Sequence, residues 1–328
     1  MRTHGTLFMI NILSKFKQKR IAVVGDLMLD KYIFGKVDRI SPEAPIPIVA
    51  VKEEREVPGG AANVATNIST LGAEAFLFGI VGNDSAKDVL VARAHDFGIS
   101  TEGITIDDSK VTIQKIRVLG QGQQLVRIDY EDRNYAENHA ESVIFEKIKN
   151  IANLDAVIVS DYAKGTINAD FMSLLLPYCK ANSIPVIIDP KPAHKHFYKD
   201  AFLVTPNKKE AEEMTGMKVE TLEELEACGK QLIRELDCNV IITTSEKGMS
   251  VFAKEQVPVH IPTVAKEVYD VSGAGDTVIS TLAIALSCNA ALSEAADIAN
   301  HAAGIKVAKI GTAPVYFTEL EKSLINEL

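Results

Sequence analysis

Six short apolar runs recur along the chain: Ile21-Ala22-Val23-Val24, Ala75-Phe76-Leu77-Phe78, Ala156-Val157-Ile158-Val159, Val186-Ile187-Ile188, Phe202-Leu203-Val204 and Val240-Ile241-Ile242. Each is continuous rather than alternating, so a strand formed there is apolar on both faces. Such strands need helices above and below them, the arrangement of a parallel sheet in an α/β domain. Helical patterns fill much of the sequence between them. Several runs end in polar residues: Gly25-Asp26, Ser160-Asp161, Asp189-Pro190, Thr205-Pro206-Asn207 and Thr243-Thr244. An open α/β sheet presents its ligand edge at those carboxyl ends.

Residues 31–57, rich in Pro and β-formers, and residues 111–130, a hairpin turning at Gly120-Gln121-Gly122, lack helical periodicity. They are expected to form a small β-sheet projecting from the main body, a lid or an oligomer interface. The domain reading is an N-terminal helical extension, 1–20, followed by one α/β domain, 21–328. With 35 Lys+Arg against 44 Asp+Glu, the net charge of −9 argues against a broad nucleic-acid or anionic-membrane surface. It does not exclude anionic substrates, which need only a few local donors. Cys179, Cys228, Cys238 and Cys288 form no CxxC pair, so neither a disulfide framework nor a zinc knuckle is expected. The apolar stretch Leu7–Leu13 runs into Lys15-Phe16-Lys17-Gln18-Lys19-Arg20 and reads as a leading amphipathic helix rather than a signal peptide. No run reaches the roughly 20 apolar residues of a membrane span, and a cytoplasmic location is expected. His194-x-His196, on a Lys-rich loop, reads as solvated rather than metal-binding.

The strongest local signal is Asp270-Val271-Ser272-Gly273-Ala274-Gly275-Asp276-Thr277, followed by the apolar stretch Val278–Leu286. Small residues let the backbone approach a ligand, and a helix starting there aims free N–H groups outward at an anion. Asp276 at that junction is either an N-cap or a base that takes a proton from a hydroxyl nucleophile while the N–H groups around Ala274 and Gly275 hold a transferring phosphoryl group. On the second reading, the helix N-terminus keeps Asp276 ionised and a weak base. Asp270 is placed to tie down the loop or to hold a cation. A second signal, Gly59-Gly60-Ala61-Ala62-Asn63, opens a helix whose apolar stripe is Val64, Ile68 and Leu71, with Asn63, Asn67 and Thr70 flanking it and Gly72 ending it. It offers backbone and amide hydrogen bonds to a polyhydroxylated ligand, or is a plain loop-to-helix junction. Third, Asn207 and Glu210, three apart at a helix start, suit either a hydrated magnesium ion beside nucleotide phosphates or a capping box, and spacing alone favours the box.

There is no GxxxxGK[ST] and no GxGxxG after a strand, so the two commonest phosphate-binding loops are unsupported. Taken together, the segments resemble the ribokinase or PfkB carbohydrate kinase family. Gly59, Gly60 and Asn63 match its N-terminal Gly-Gly-x-x-Asn motif, and Asp270, Gly273, Ala274, Gly275 and Asp276 match its C-terminal D-x-x-G-A-G-D motif. The resemblance runs from about Arg20 to Val315. Within the family the chain is most similar to the D-glycero-β-D-manno-heptose 7-phosphate kinases. That likeness rests on Gly25–Tyr32, Arg39-Ile40-Ser41-Pro42-Glu43-Ala44-Pro45-Ile46-Pro47, Ser160–Gly165 and Asp189-Pro190-Lys191.

The resemblance implies a ribokinase-like three-layer sandwich, a mainly parallel sheet with a small β-sheet lid. It implies transfer of the γ-phosphoryl group of ATP, with Mg2+, to the anomeric 1-hydroxyl of heptose 7-phosphate, in lipopolysaccharide precursor synthesis. Asp276 is then the base, and the amides of Gly273, Ala274, Gly275 and Asp276 form the anion hole. Asp30, Gly59, Gly60 and Asn63 hold sugar hydroxyls. Asn207 and Glu210 serve the magnesium and phosphate region through water, Thr243 and Gly248 the nucleotide loop, and Asn300 the adenine pocket. Ser245 stands where ribokinases often have glycine, and Ser272 where threonine is usual. A monovalent cation such as K+ is an open expectation near Asp270 and Ser272. Lys164, Lys191 and Arg39 are the cations offered to the acceptor's phosphate; the two lysines are equally readable as solvated or structural charges, and for Arg39 that reading is the better one. A homodimer through the β lid is expected. With no HxGH signature in the sequence, adenylyl transfer is expected from a separate nucleotidyltransferase. Two alternatives stay open: another PfkB kinase acting on a ketohexose phosphate or nucleoside, and a catalytically silent sugar-binding module.

Overall fold

The computed structural model describes residues 9–132, 140–309, 311 and 313–325. Its strands are β1 (Arg20–Gly25), β2 (Leu27–Ile40), β3 (Pro47–Gly60), β4 (Glu74–Val81), β5 (Ser100–Ile106), β6 (Ile113–Gly120), β7 (Gln123–Tyr130), β8 (Ala156–Ser160), β9 (Val186–Asp189), β10 (Leu203–Val204), β11 (Asn239–Thr243), β12 (Met249–Phe252) and β13 (Val259–Ile261). A nine-stranded sheet has the order β13-β12-β11-β10-β9-β8-β1-β4-β5. Pairing is parallel from β11 through to β5, and β12 and β13 extend that edge antiparallel. The six apolar runs fall on β1, β4, β8, β9, β10 and β11. β5 escapes the sequence pattern because it lies at an edge, where Ser100-Thr101-Glu102 needs no cover on both faces.

Alternate residues of the central strands face opposite layers. Ile21, Val23, Ile158, Ile187, Leu203 and Ile241 pack with side chains of the Ala61–Thr70, Ala274–Ser287, Leu292–Val307 and Phe317–Ile325 helices. Ala22, Val24, Val157, Val159, Ile188, Val204, Val240 and Ile242 pack with those of the Ala140–Lys149, Ala169–Ala181 and Leu222–Leu236 helices. Residues 9–14 are helical, and Met9, Ile12, Leu13 and Phe16 join the first of these cores. The Phe16 ring meets Phe317 edge-on, with centroids 6.5 Å apart. All four cysteines are buried and free. Among the described residues, no helix is long and apolar enough to cross a membrane.

The second sheet, in the order β3-β2-β6-β7, is the expected lid. β2 pairs antiparallel with β3 and parallel with β6, and β6 turns back into β7. Gln121 and Gly122 at that turn have φ of 52° and 82°, the left-handed pair of a two-residue hairpin. The lid is larger than residues 31–57 and 111–130 suggest. β2 begins at Leu27, opposite Gly60, so its first two strands start from the ligand edge of the main sheet.

Phe16→Ala is expected to cost about 3–5 kcal/mol, read as a lowered urea midpoint. Ile40→Ala, at a lid residue 60% exposed, is expected to shift it by no more than about 0.5 kcal/mol.

Candidate active site

Gly273, with φ 76°, caps the Ala274–Ser287 helix, and Asp276 is the third residue of that helix. A Cβ on Gly273 would stand 2.9 Å from Asn63 Nδ2, so both the backbone angle and the space require glycine. Asp276 is only 6% exposed. Asn63 Nδ2 donates to its Oδ2 at 2.5 Å, and the Tyr162 hydroxyl donates to its Oδ1 at 3.0 Å. Two buried helices fix this geometry. Thr277 Oγ1 donates to Asn67 Oδ1 at 3.1 Å, and Ser280 Oγ donates to the Val64 carbonyl at 3.0 Å. The Asn63 and Asn67 side of the Ala61–Thr70 helix is therefore as buried as its apolar stripe.

Burial pushes the Asp276 carboxyl above its ordinary range; Asn63 and Tyr162 pull it back, the Asp30 charge pushes it up and Lys115 opposes that. The net direction is upward. Loss of water outweighs the two hydrogen bonds. The Ala274 N–H is spent on the Val271 carbonyl at 3.1 Å, and Thr277 N–H closes on Gly273 O at 3.1 Å. The N–H groups of Gly275 and Asp276 remain as the donors of the helix end.

Gly59 and Gly60 end β3, and a Cβ on Gly59 would stand 2.5 Å from Asp30 Oδ2. Asp30, 5% exposed on β2, accepts from Arg117 Nη1 at 2.5 Å. Lys115 is its register partner on β6. Lys115 and Arg117 are two apart and so share one face of the strand. The Lys115 ammonium lies 5.4 Å from the Tyr162 ring centroid and Arg117 lies 5.2 Å from that of Tyr32. Burial lowers the Lys115 pKa, Asp30 holds it up, and Arg117, Lys164 and Arg127 push it further down. A cavity of about 380 Å³ separates lid from body, lined by Tyr32, Arg55, Pro58, Asn63, Arg117, Asp270 and Ser272 among others. A larger hollow of about 770 Å³, lined by Ile184, Phe202 and Lys254 among others, lies at the opposite edge of the strands and holds none of these residues.

On the other side of Asp276, Asn207 and Glu210 form the capping box: Glu210 N–H donates to Asn207 Oδ1 at 3.0 Å and Asn207 N–H to Glu210 Oε2 at 2.9 Å. Burial pushes Glu210 up, against that bond and the Lys191 charge. Asp189, at the end of β9, is driven well above its ordinary range by burial and then by Asp276, Glu210 and Asp161, with Lys191 opposing. Asp189 thus feels both Asp276 and Glu210. Thr243 bridges to Asn207. A Cβ on Gly248, at φ 88°, would stand 2.1 Å from the Ile261 carbonyl, and buried Asn300 donates to the Pro262 carbonyl at 2.7 Å, so Gly248 and Asn300 meet at one segment. Among the described residues, no group of three acidic, His or Cys side chains could cage a metal. Glu210, half-buried beside Asn207, is a carboxylate of the kind that suits hydrated magnesium together with water and substrate phosphates.

The proposed phosphate cations do not all converge. Lys164 reaches in and pairs with Glu131, Lys191 sits with Asp189 and Glu210, and Arg39 is exposed nine residues beyond Asp30 on β2. It pairs with Ile48 at the outer end of the β2–β3 ladder and does not line the cavity, so Arg39 does not join the site of its own chain. His194 is a correction too. It is 9% exposed, with Nδ1 2.7 Å from Asp161 Oδ2, because the Pro192–Phe197 turn folds it inward; His196 stays exposed. Lys115, Arg117, Tyr162 and Asp189 were given no role from sequence. The two basic residues at i, i+2 on an expected strand were the readable signal.

A family model described as pfkB family carbohydrate kinase matches residues 18–317. The chain is 41% identical over 313 residues to the Bifunctional protein HldE of Aliivibrio fischeri, covering 95% of this chain and 65% of that protein. It is 40% identical over 313 residues to the protein of the same name from Desulfatibacillum aliphaticivorans, covering 95% and 64%. The chain thus spans about 65% of the length of the curated relatives it matches. Their name, bifunctional, lends no support to the expectation of a separate nucleotidyltransferase. Among solved structures, the chain resembles Arabidopsis thaliana ribokinase complexed with ribose and ATP, with a TM-score of 0.74 at 20% identity, covering 93% of this chain and 98% of that one. It also resembles phosphofructokinase-2 from Escherichia coli in complex with potassium, with a TM-score of 0.80 at 17% identity, covering 94% and 98%. The fold is therefore ribokinase-like, as expected.

Tyr162→Phe removes a hydrogen bond that stabilises ionised Asp276. A bond to a charged group contributes about 1.5 kcal/mol and 1.36 kcal/mol is one pH unit, so the acid limb of the kcat/KM profile is expected to move up by about one unit. An unmoved limb would remove Asp276 as the titrating base.

Proposed function

This chain belongs to the pfkB family of carbohydrate kinases, and we propose that its acceptor is a phosphorylated sugar, D-glycero-β-D-manno-heptose 7-phosphate, phosphorylated by ATP on the 1-hydroxyl to give the 1,7-bisphosphate. One observation carries the phosphorylated acceptor. Lys115 lies opposite Asp30 on β6 and 5.4 Å from the ring of Tyr162, which bonds Asp276, with Arg117 beside it on the same strand face held by Asp30, and with Lys164, held by Glu131, near enough to act on it. A cluster of like charges in a cleft is relieved by a bound anion. The heptose is favoured by the Ser41-Pro42-Glu43-Ala44-Pro45 likeness and by the 40–41% identity to the two curated relatives.

In this reading Asp276 takes the proton of the 1-hydroxyl, and its raised pKa makes it a better base than a solvated carboxylate. The Gly275 and Asp276 N–H groups hold charge on the transferring phosphoryl group. Asp30 and Asn63 hold sugar hydroxyls at the Gly59-Gly60 junction. Asn207 and Glu210, with Asp189 behind them, are the residues to hold hydrated magnesium, which when bound neutralises charge on the nucleotide phosphates. Thr243, Gly248 and Asn300 shape the nucleotide end. Exposed Ile40, Val51, Val126 and Ile128 on the lid support a homodimer formed through it.

Asp276→Asn is expected to lower kcat by about 10²–10⁴-fold while calorimetry shows sugar binding little changed. Lys115→Met is expected to raise KM for heptose 7-phosphate by about 10–100-fold, the loss of a charge-assisted bond, and to leave an unphosphorylated heptose unaffected. ADP release as fast with unphosphorylated heptose as with the 7-phosphate would overturn the assignment.

A further inference from the structure

A buried ammonium group that none of these steps uses lies under the Asp270–Gly273 turn. Lys306, in the last turn of the Leu292–Val307 helix, is 0% exposed. Its Nζ donates to the Gly311 carbonyl. The N–H of Gly311 donates in turn to Asp270 Oδ2 at 2.9 Å, and Ser272 N–H donates to Asp270 Oδ1 at 2.8 Å. Tyr269 and Asp270 donate their N–H groups to the carbonyl of Val307, the next residue, at 2.7 and 3.2 Å. A Cβ placed on Gly273 would stand 3.4 Å from Lys306 Cε and 3.6 Å from Asp276 Oδ2, so the lysine stem runs past the cap of the catalytic helix. Desolvation disfavours the ammonium, Lys309 adds to that, and Asp270 and Asp276 counter it.

This is where the sequence leaves a monovalent cation open, near Asp270 and Ser272. Among the described residues, those present do not suit one. The Lys306 ammonium already sits on the Gly311 carbonyl, whose own N–H is bound to the half-buried Asp270 carboxylate, so a second positive charge there would be repelled at short range. We propose that Lys306 takes the place of that ion: its tethered ammonium is the fixed positive charge that holds the Asp270–Gly273 turn, and this kinase needs no added monovalent cation. Lys306 touches neither substrate nor the reacting atoms and is a positioning residue. The proposal rests on the kinase assignment and not on which sugar is phosphorylated.

Wild-type protein and Lys306→Met are compared in KCl, NH4Cl and tetramethylammonium chloride at equal ionic strength, by ADP release and by thermal unfolding without substrates. Wild type is expected to keep the same turnover in all three salts and the same Tm. Lys306→Met is expected to turn over at least about tenfold more slowly in tetramethylammonium, the scale of a lost electrostatic contact in such a site. It should regain turnover in KCl or NH4Cl and show a Tm rise specific to those ions, as a newly bound cation requires. Activation of wild type by K+, full turnover of Lys306→Met without it, or loss that neither ion restores would each overturn the proposal. The wild-type arms decide even if the variant does not fold, and the thermal arm uses no acceptor, so a wrong sugar leaves it standing.

Discussion

Asp26 is the single residue between β1 and β2, and four segments close on it. Its N–H donates to the Ser160 carbonyl at 3.3 Å, and its carbonyl accepts from Ala61 N–H at 3.1 Å. Its fully buried carboxylate accepts from the N–H groups of Tyr162, Lys164 and Thr166 at 2.9, 3.0 and 3.1 Å. Burial and the neighbouring Asp161 push that carboxyl up, and the three N–H bonds oppose them. The strand that enters the lid, the start of the Asn63 helix and the loop that aims Tyr162 are thereby placed relative to one another by one side chain and its own backbone.

The site holds two buried carboxylates, Asp30 and Asp276, and a half-buried one, Asp189, and each is answered differently. Asp30 has the Arg117 guanidinium. Asp189 has the opposing field of Lys191. Asp276 is bonded by an amide and a phenol, both neutral. A guanidinium on Asp276 would stabilise the anion and spoil the base, whereas neutral donors orient the carboxylate and leave its affinity for a proton raised. The division between binding and catalysis is set by partner type as much as by position.

Much of the scaffold was legible because two-sided burial leaves an unmistakable trace: Ile21–Val24 and Ala156–Val159 must be covered on both faces. The hairpin was legible from Gly120-Gln121-Gly122. Edge strand β5 was not, since a half-covered strand imposes no such rule. At the site, glycines with no steric alternative marked Gly59, Gly60 and Gly273 in advance. Local spacing could not show that Lys115 lies opposite Asp30, that Tyr162 reaches Asp276 across 114 positions, or that Lys306, the lone cation besides His301 in its helix, turns inward. Those are consequences of register and packing. Arg39 failed for the converse reason: β2 carries it outward to the far end of the ladder, opposite Ile48, so nearness in sequence to Asp30 becomes distance.

β2 and β3 pair without interruption from Leu27 and Gly60 out to Phe34 and Glu53, and the register then slips between Phe34 and Gly35 and again between Val37 and Arg39. A register slip bends a strand and sharpens its twist. The lid is therefore a regular stem followed by an outer stretch turned out of line with it. Asp30 lies on the stem, bonded to Arg117, while exposed Ile40 and Val51 lie on the turned stretch. Alignment at the site and the apolar surface that needs cover thus fall on different stretches of the same two strands.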